Sequence, residues 1–530
     1  MIKGGIPLAG KRQWLCFLLV FSVFFTCFLT GCDKKEVEAV LDVSRLPEDL
    51  DPQTTEDENA RLILINVMEG LTRKTADGEI CLAAAKDYSV SEDGLRWTFH
   101  LRPSAWSDGV DVTADDFVFA FQRLFASETG AVEKAKEFSF LTHAKEVLSG
   151  KLPVGNIGVY AENDTTLVFS LETPQPDLLV LLSQLHTFPC RRDFFKETGG
   201  SYGLSRTDLL YNGPYAIQYW LDREYIIMRA NSRYSGNRGN CVRVAFYETE
   251  EEEITPRFLE GETNLYAGSL PSSAISGKGL LKKEITDTVY TLLLNQKSPR
   301  LKDALLRSAL LQTVDQGFVP QENTGGYMVQ KDLLPPAIRL APKTNAAKAD
   351  PDGGREALRL YLAKEELEKT GAFTILLPKA GFHREMLTLL QQAWQKELGV
   401  YVNLDLVEED VWQDRLKSGD YELALLPVKA ETDSALALLE KFASGGEYAT
   451  FGFSSKAFTD ALSSAKKAET EADLLPHLQQ ALDHLMESGC LMPLYSSART
   501  VYYTADLSGI EIDSFGSDLY FATAGLAKEA

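Results

Sequence analysis

Aromatic or aliphatic side chains alternate with polar ones along residues 97–101. An alternation with a period of two predicts a strand with one buried face. The turn residues Ser-Asp-Gly follow, and Thr113 with Asp116 three positions later is typical of a helix start. Apolar residues then recur at helical spacing as far as Phe125. The stretch predicts a strand, a turn and a helix that belong to the scaffold and carry no catalytic group.

A longer block between residues 372 and 428 alternates strand-like and helix-like patterns. The successive runs are AFTILLPKAG, REMLTLLQQAWQKELG, VYVNLDLVEED, VWQDRLKSG and DYELALLPV. Strand, helix and strand in this order predict a parallel sheet with crossover helices. The nearly all-apolar run TVYTLLLNQKSP predicts a buried central strand. The chain is therefore expected to be an α/β protein.

Two polar features have simple structural interpretations. The acidic run at residues 248–253 is interpreted as the start of a helix, where acids are favoured, rather than as a cation site. His477 and His484 lie seven positions apart on one predicted helix, which is too far for them to bind one metal ion. No metal site is predicted.

The N-terminus has the pattern of a secretory signal peptide. Positive residues precede an apolar run that ends in Leu-Thr-Gly-Cys. This ending resembles the bacterial lipobox, in which Cys32 becomes the acylated N-terminus after residues 1–31 are removed. The alternative is an uncleaved membrane helix, since about 17 apolar residues can just span a bilayer. With a lipid on Cys32 the remaining chain is a soluble protein anchored to a membrane.

Length and charge restrict the classes of function. A chain of 530 residues is longer than a single core supports, so two or three domains are expected. The formal net charge of −22 argues against binding nucleic acid through phosphate contacts. The sequence lacks an H-E-x-x-H motif and a P-loop, so we do not expect an enzyme. No cofactor is predicted.

Four cysteines remain after the signal peptide and the lipidated residue are set aside. They are widely spaced and contain no C-x-x-C pair, which makes a zinc site unlikely. One or two disulfides and buried free thiols are equally compatible with this spacing. The residues are Cys81, Cys190, Cys241 and Cys490.

Several motifs occur in the order found in one known family. The longest is EGLTRKTADGEICLAAAKDYSVSEDGLRWTFHLRPSAWSDGVDVTADDFVFAFQR, and the others are LDP, YNGPYAIQYW, NQKSPRLKDALLRSAL and LMPLYSSARTV. Together they resemble the substrate-binding proteins of ABC importers of the oligopeptide, dipeptide and nickel type. The resemblance extends over essentially the whole chain after the signal peptide, and this collinearity is more specific than any single motif.

The resemblance implies a fold and a domain order. It implies a two-lobed periplasmic-binding-protein fold of type II, with an extra α+β domain inserted in the first lobe. The expected divisions are 1–31 signal peptide, 32–60 tether and start of lobe I, 61–185 extra domain, 186–280 lobe I, 281–480 lobe II, and 481–530 return to lobe I. Ligand would be trapped by hinge closure between the lobes.

The resemblance also implies a set of ligand-binding residues. In peptide-binding members an acid pairs with the α-ammonium of an extended peptide, and Glu431 stands at that position with Asp433 as a near alternative. Lys297 and His383 match positions that neutralise the peptide carboxylate. Arg415 lies one residue from another expected arginine.

Other positions depart from the family pattern. Val428 replaces a tryptophan, Leu425 replaces a basic residue, and Leu46 stands where oligopeptide binders have a glutamate. Part of the family's ligand-pairing set has therefore changed. Murein-derived peptides, or a non-peptide solute such as a metal chelate or haem, stay open as alternatives. So does a sensor or adhesin built on the same scaffold.

The function expected from the sequence is that of a lipid-anchored substrate-binding protein. It would capture peptides in the periplasm and deliver them to an ABC permease in the inner membrane. We expect a monomer that is attached to the cell membrane through Cys32 and that binds no nucleic acid.

Overall fold

The computed structural model describes residues 36–525 except 176, 269, 271, 315–326, 346–348, 380–382 and 469. The predicted signal peptide and Cys32 lie outside these residues. Within them, no helix combines the length and the apolar character needed to cross a bilayer.

Strands occur along the whole described chain. In chain order they are β1 (Val37–Val43), β2 (Thr72–Lys74), β3 (Ile80–Leu82), β4 (Ala85–Val90), β5 (Arg96–Leu101), β6 (Val159–Asn163), β7 (Thr166–Ser170), β8 (Tyr215–Leu221), β9 (Tyr225–Ala230), β10 (Cys241–Glu248), β11 (Leu265–Ala267), β12 (Leu281–Leu294), β13 (Tyr327–Val329), β14 (Phe373–Pro378), β15 (Val402–Val407), β16 (Leu423–Lys429), β17 (Leu491–Tyr503), β18 (Glu511–Ile512) and β19 (Leu519–Tyr520).

Helices alternate with these strands, most regularly in the second half of the chain. They are α1 (Glu58–Val67), α2 (Ala114–Phe125), α3 (Val132–Lys136), α4 (Ala144–Leu148), α5 (Leu178–Leu181), α6 (Arg192–Glu197), α7 (Glu251–Glu260), α8 (Ser272–Ile275), α9 (Ala304–Gln312), α10 (Pro351–Lys364), α11 (His383–Leu398), α12 (Glu409–Ser418), α13 (Ala435–Glu440), α14 (Lys456–Ala465) and α15 (Glu471–Glu487).

Lobe I is built around a four-stranded sheet with the order β1-β10-β9-β8. Strand β1 is parallel to β10, and the other neighbours are antiparallel. Helix α1 spans the predicted division at residue 60 and packs against β8 and β19. The predicted divisions between domains stay predictions.

The extra α+β unit contains the antiparallel sheet β4-β5-β7-β6, with α2 packed on β6 and β7. Strand β5 has the predicted alternation, because its apolar residues are buried and the polar ones between them are not. Helix α2 begins after Thr113, whose backbone N–H donates to Asp116 Oδ2 at 2.9 Å. The same oxygen accepts from Trp106 Nε1 at 3.0 Å. The predicted strand and helix are confirmed.

A buried ion pair joins this unit to lobe I. Arg123 Nη2 of α2 lies 2.5 Å from Asp51 Oδ2, and both side chains are almost fully enclosed. The guanidinium also stacks on Phe195, 4.1 Å from the ring centroid. The aspartate of the LDP motif therefore has a structural role at the domain contact.

Lobe II is built around the sheet β11-β17-β12-β16-β14-β15, with β13 paired to β17. Strand β14 is parallel to both β15 and β16, as the alternating pattern predicts. Apolar clusters lie on both faces of this sheet. One contains α13, α14 and α15, and the other contains α9, α10 and α11. The α/β class is confirmed.

Strands β12 and β17 cross between the lobes as an antiparallel pair. Ile285 and Val501 belong to the core of lobe I, whereas Leu292 and Tyr495 belong to a core of lobe II. The pairing shifts register between Ile285 and Thr288, which places an irregularity between the two cores. The crossing strands are the covalent and hydrogen-bonded connection of the lobes.

All four described cysteines are free thiols. Cys190, Cys241 and Cys490 are buried, and Cys81 is half-buried. Burial raises the pKa of Cys190 to about 11, so this thiol is protonated at neutral pH. Of the two alternatives left by the sequence, the structure has the free thiols.

Candidate functional site

The carboxyl ends of β14, β15 and β16 lie at the same edge of the lobe II sheet because these strands are parallel. Ligands of open α/β sheets bind at this edge, outside the strand ends. The chain leaves β16 at Lys429 and forms residues 430–434, here called the β16 loop, before α13 begins at Ala435. The β16 loop carries the predicted acids.

Glu431 is the exposed acid of the β16 loop, with 67% of its side chain accessible. Its Oε1 accepts a hydrogen bond from Lys441 Nζ at 2.7 Å, and the same ammonium lies 2.9 Å from Glu447. Burial lowers the pKa of Lys441, but the bond to Glu431 and the other nearby groups outweigh it, so the net pKa is raised. Lys441 is therefore fully charged at neutral pH and is shared by two carboxylates.

Asp433 is less exposed than Glu431 and is bound within lobe II. Its Oδ1 accepts from the backbone N–H of Arg339 at 2.6 Å, and the Arg339 side chain lies 3.4 Å from Oδ2. These contacts fix the carboxylate against the loop that contains Arg339. Glu431 is thus the more accessible of the two predicted acids.

Lobe I contacts the β16 loop directly. Lys74 Nζ donates to the carbonyl oxygen of Glu431 at 3.2 Å and forms an ion pair with Asp513 at 2.8 Å. Phe515 is buried in the lobe II cluster that contains Ala430. At Gly78, which has a φ of +83°, an added Cβ would lie 2.7 Å from the Phe515 ring. Only glycine fits this approach. The contact of Lys74 with the carbonyl oxygen of Glu431 places this predicted acid next to lobe I.

A pocket opens in lobe I beside this contact. Its apolar lining comes from Ile65, Met68, Gly70 and Phe188. Its charged lining comes from Arg61, Glu69, Arg73, Lys74, Glu511, Asp513 and Asp518. We call it the lobe I pocket, and its mixture of apolar and polar lining is typical of a small-molecule site.

The charges of the lobe I pocket are arranged in fixed pairs. Arg61 binds Asp518 through two hydrogen bonds of 2.8 and 2.6 Å. Arg73 binds Glu511 through two bonds of 2.8 and 3.3 Å. Bidentate pairs of this kind hold both partners in one orientation. The pocket therefore offers oriented polar groups with little net charge.

His383, a predicted ligand residue, is buried at the start of α11. Its Nδ1 lies 3.0 Å from the Tyr495 hydroxyl, and its ring is 4.5 Å from that of Tyr290. Burial lowers its pKa to about 4, so the imidazole is neutral at pH 7. In this structure it carries no charge for a peptide carboxylate.

Lys297 and Arg415 lie at the other edge of the sheet. Lys297 follows the end of β12, where Leu294 pairs with Leu423 at the start of β16. Arg415 binds Asp405 at 2.7 Å and the carbonyl of Asp420 at 3.1 Å, just before β16. A strand of seven residues spans roughly 20 Å, so the structure does not bring these cations to Glu431.

Two departures from the family pattern lie in the core. Leu425 and Val428 are fully buried on opposite faces of the lobe II sheet. Leu46 is also buried, and its backbone N–H donates to Glu248 at 2.8 Å. These apolar residues fill space and provide no polar contact to a ligand.

Lys429, which the sequence analysis did not single out, is the exposed last residue of β16. It lies two positions before Glu431, opposite Thr288 of β12. The sequence shows a polar Lys429 between the apolar Val428 and Ala430, but it does not show that the strand ends there.

Among the described residues, no group of three or more His, Cys, Asp and Glu side chains is placed to hold a metal ion.

Comparison with known proteins gives consistent matches along the chain. Residues 79–450 match the sequence model of the bacterial extracellular solute-binding proteins, family 5 Middle. A probable deoxycholate-binding periplasmic protein of Escherichia coli is 27% identical over 470 residues, covering 85% of this chain and 86% of the relative. The periplasmic oligopeptide-binding protein of the same organism is 26% identical over 471 residues, covering 84% and 85%.

A solved structure with this fold is the open, unliganded form of a periplasmic murein tripeptide-binding protein. Its TM-score is 0.76 at 22% identity, and the match covers 93% of this chain and 98% of that one. The two-lobed periplasmic-binding-protein fold expected from the sequence is confirmed.

Proposed function

Because the chain belongs to the bacterial extracellular solute-binding proteins of family 5, we propose that it captures peptides for an ABC importer. The observation that carries the proposal is the position of Glu431, an exposed carboxylate at the ligand-binding edge of lobe II. It is also adjacent to lobe I, because Lys74 contacts its carbonyl oxygen. A site between two lobes suits a ligand that is enclosed when the lobes approach.

In this proposal the peptide binds in an extended conformation between the lobes. Its α-ammonium forms a charge-assisted hydrogen bond with Glu431, and its backbone pairs with the exposed chain of the cleft. The lobe I pocket accepts a side chain, since apolar lining and paired charges suit residues of several kinds. Asp433 serves to hold the β16 loop, because its carboxylate is already bound by Arg339.

The proposed cellular setting follows the N-terminal pattern. Cys32 carries lipid after removal of residues 1–31 and anchors the protein to the cell membrane, with the two lobes in the periplasm. A monomer then presents its loaded form to a permease in the inner membrane. Lipid on Cys32 is testable by mass spectrometry of the N-terminal peptide, and Cys32→Ser is the matched control.

Ligand binding is tested by thermal unfolding of the full-length chain in detergent. The panel contains peptides of two to eight residues, murein-derived peptides, haem and nickel chelates. A ligand at about 100 times its Kd adds roughly 2.7 kcal/mol to the free energy of unfolding, which raises the melting temperature measurably. Peptide binding is rejected if every peptide leaves the melting temperature unchanged while another solute raises it.

The role of Glu431 is tested with Glu431→Gln, which keeps the size of the side chain. The Kd of a free-amine peptide should rise about tenfold or more, because a charge-assisted bond contributes about 1.5–3 kcal/mol. The Kd of the N-acetylated peptide should change little. Calorimetry measures both, and equal weakening of the two peptides would show that Glu431 does not bind the ammonium.

A second candidate is an amphipathic solute that is not a peptide. The lobe I pocket supports it, since apolar side chains and fixed ion pairs line the same space. One relative is named as a probable deoxycholate-binding protein. Deoxycholate therefore joins the panel. Ile65→Glu should weaken a bile acid bound wholly in the pocket far more than a peptide, which places one side chain there and is also held at Glu431.

A further inference from the structure

Lys429 and Glu431 extend from the same end of β16, separated by one residue. Val428 and Ala430 are buried against α13 and its neighbours, so the alternation of the strand directs Lys429 to the opposite face. That face also carries Tyr290, since Tyr290 and Thr288 of β12 pair with Pro427 and Lys429. Lys429 therefore stands at the ligand-binding edge on the side of His383.

The acids of the β16 loop, and Asp513 of lobe I, are each paired with another cation. Glu431 is bound by Lys441, Asp433 by Arg339 and Asp513 by Lys74. Within the described parts of the chain, the Lys429 ammonium has no carboxylate within 4.0 Å, and the Lys429 backbone N–H donates to the Tyr448 hydroxyl at 3.3 Å. The ammonium of Lys429 is thus the accessible positive charge of this strand end.

We propose that Lys429 is a specificity-determining residue that binds an acidic side chain at the first or second position of the peptide. The inference rests on the proposed function, because it uses the peptide ammonium at Glu431 as the point of reference. It adds a preference for peptides that carry an Asp or Glu near their amino end.

The spacing of the two residues fits this class of ligand. Lys429 ends the strand and Glu431 follows two positions later, so their Cα atoms are at most about 7 Å apart, and both residues are exposed. In an extended peptide, the carboxylate of an Asp or Glu at either of the first two positions is within a few ångströms of the α-ammonium. One peptide can therefore contact Glu431 through its ammonium and Lys429 through its acid.

The experiment compares matched peptides that differ by Asp→Asn or Glu→Gln at the first or second residue. Calorimetry gives their Kd values for the full-length wild-type chain, for Lys429→Gln and for a control variant. The control is Lys379→Gln, which removes a lysine that follows β14 at the same edge but is bound to Glu408. Both lysines are exposed, so neither substitution disturbs a core.

We expect the wild type to bind the acidic peptide about tenfold more tightly than its amide counterpart. In Lys429→Gln the ratio should fall to near one, and in Lys379→Gln it should stay as in the wild type. If peptides bind but the ratio is near one in the wild type, or is unchanged in Lys429→Gln, the role of Lys429 is overturned and peptide capture stands. If no peptide of either series binds the wild type, the proposed function itself is overturned.

Discussion

At the scale of single residues, burial decides what His383 can do. The family resemblance places His383 at a position that neutralises a ligand carboxylate. In the structure, however, His383 is buried beside Tyr290 and Tyr495. A neutral imidazole in that setting donates or accepts one hydrogen bond and carries no charge. The burial of His383 depends on β12, β13 and β17, which meet the start of α11 there. These strands are distant in sequence, so the sequence position alone did not reveal the burial.

This burial predicts a pH dependence of stability. Because the folded-state pKa of His383 is lowered to about 4 from 6.5, the unfolded chain binds the proton more readily between these values. The free energy of unfolding should therefore fall as the pH falls from about 6.5 to about 4, by up to about 1.4 kcal/mol per pH unit for this group. Denaturant titrations at several pH values measure it.

The matched variant for this prediction is His383→Phe. It loses the hydrogen bond to Tyr495 and is less stable at neutral pH, but its stability should depend less steeply on pH than that of the wild type. His186, whose pKa burial also lowers to about 4, is present in both proteins and cancels from the comparison. Equal slopes would show that His383 titrates in the folded protein as it does in the unfolded chain.

The other predicted ligand residues divide by location. Glu431 was identifiable because it follows a recognisable strand, and the structure places it at the expected edge. Lys297 and Arg415 also lie next to β16 or its neighbour, but at the opposite end of the sheet. A sequence motif shows that a residue is near a strand, but not at which end of the sheet it lies. The direction and pairing of the strands determine that.

At the scale of elements, local signals were sufficient for much of the fold. The alternation of β5 and the start of α2 involve residues close in sequence, so their pattern predicts them directly. The parallel arrangement of β14, β15 and β16 also followed from the order of helices and strands. The insertion of β17 between β11 and β12 did not, because this pairing joins distant segments.

The start of α2 gives a prediction for stability. Asp116→Ala removes the carboxylate that accepts from Thr113 and from Trp106, leaving two buried N–H groups without this partner. We expect the free energy of unfolding to fall by about 2 kcal/mol or more. Asp115→Ala, at the exposed neighbouring position, should change it by less than about 0.5 kcal/mol. Urea denaturation compares the two, and similar losses would contradict the role of Asp116.

At the scale of the whole molecule, the lobes are connected by a pair of strands that contains a register shift. Bulged strands bend more easily than regular ones, and this shift lies between Ile285 of one core and Thr288 at the edge of the other. We therefore propose the crossing strands as the hinge. The motion expected from them is a rotation of one lobe toward the other.

Small-angle scattering checks this motion. A peptide that raises the melting temperature should reduce the radius of gyration of the full-length chain at saturation. A peptide that leaves the melting temperature unchanged is the control and should leave the radius unchanged. A bound peptide with no compaction would mean that the lobes do not close around it.

The pairing of β12 with β17 has a consequence for biosynthesis. Strand β12 lies near the middle of the chain, but its partner β17 is made only after all the helices of lobe II. One backbone edge of β12 therefore stays unpaired until then. A nascent chain that stops before Leu491 exposes backbone groups that readily recruit other chains. Both halves of the protein therefore depend on its final segment, so neither is complete until the whole chain has been made.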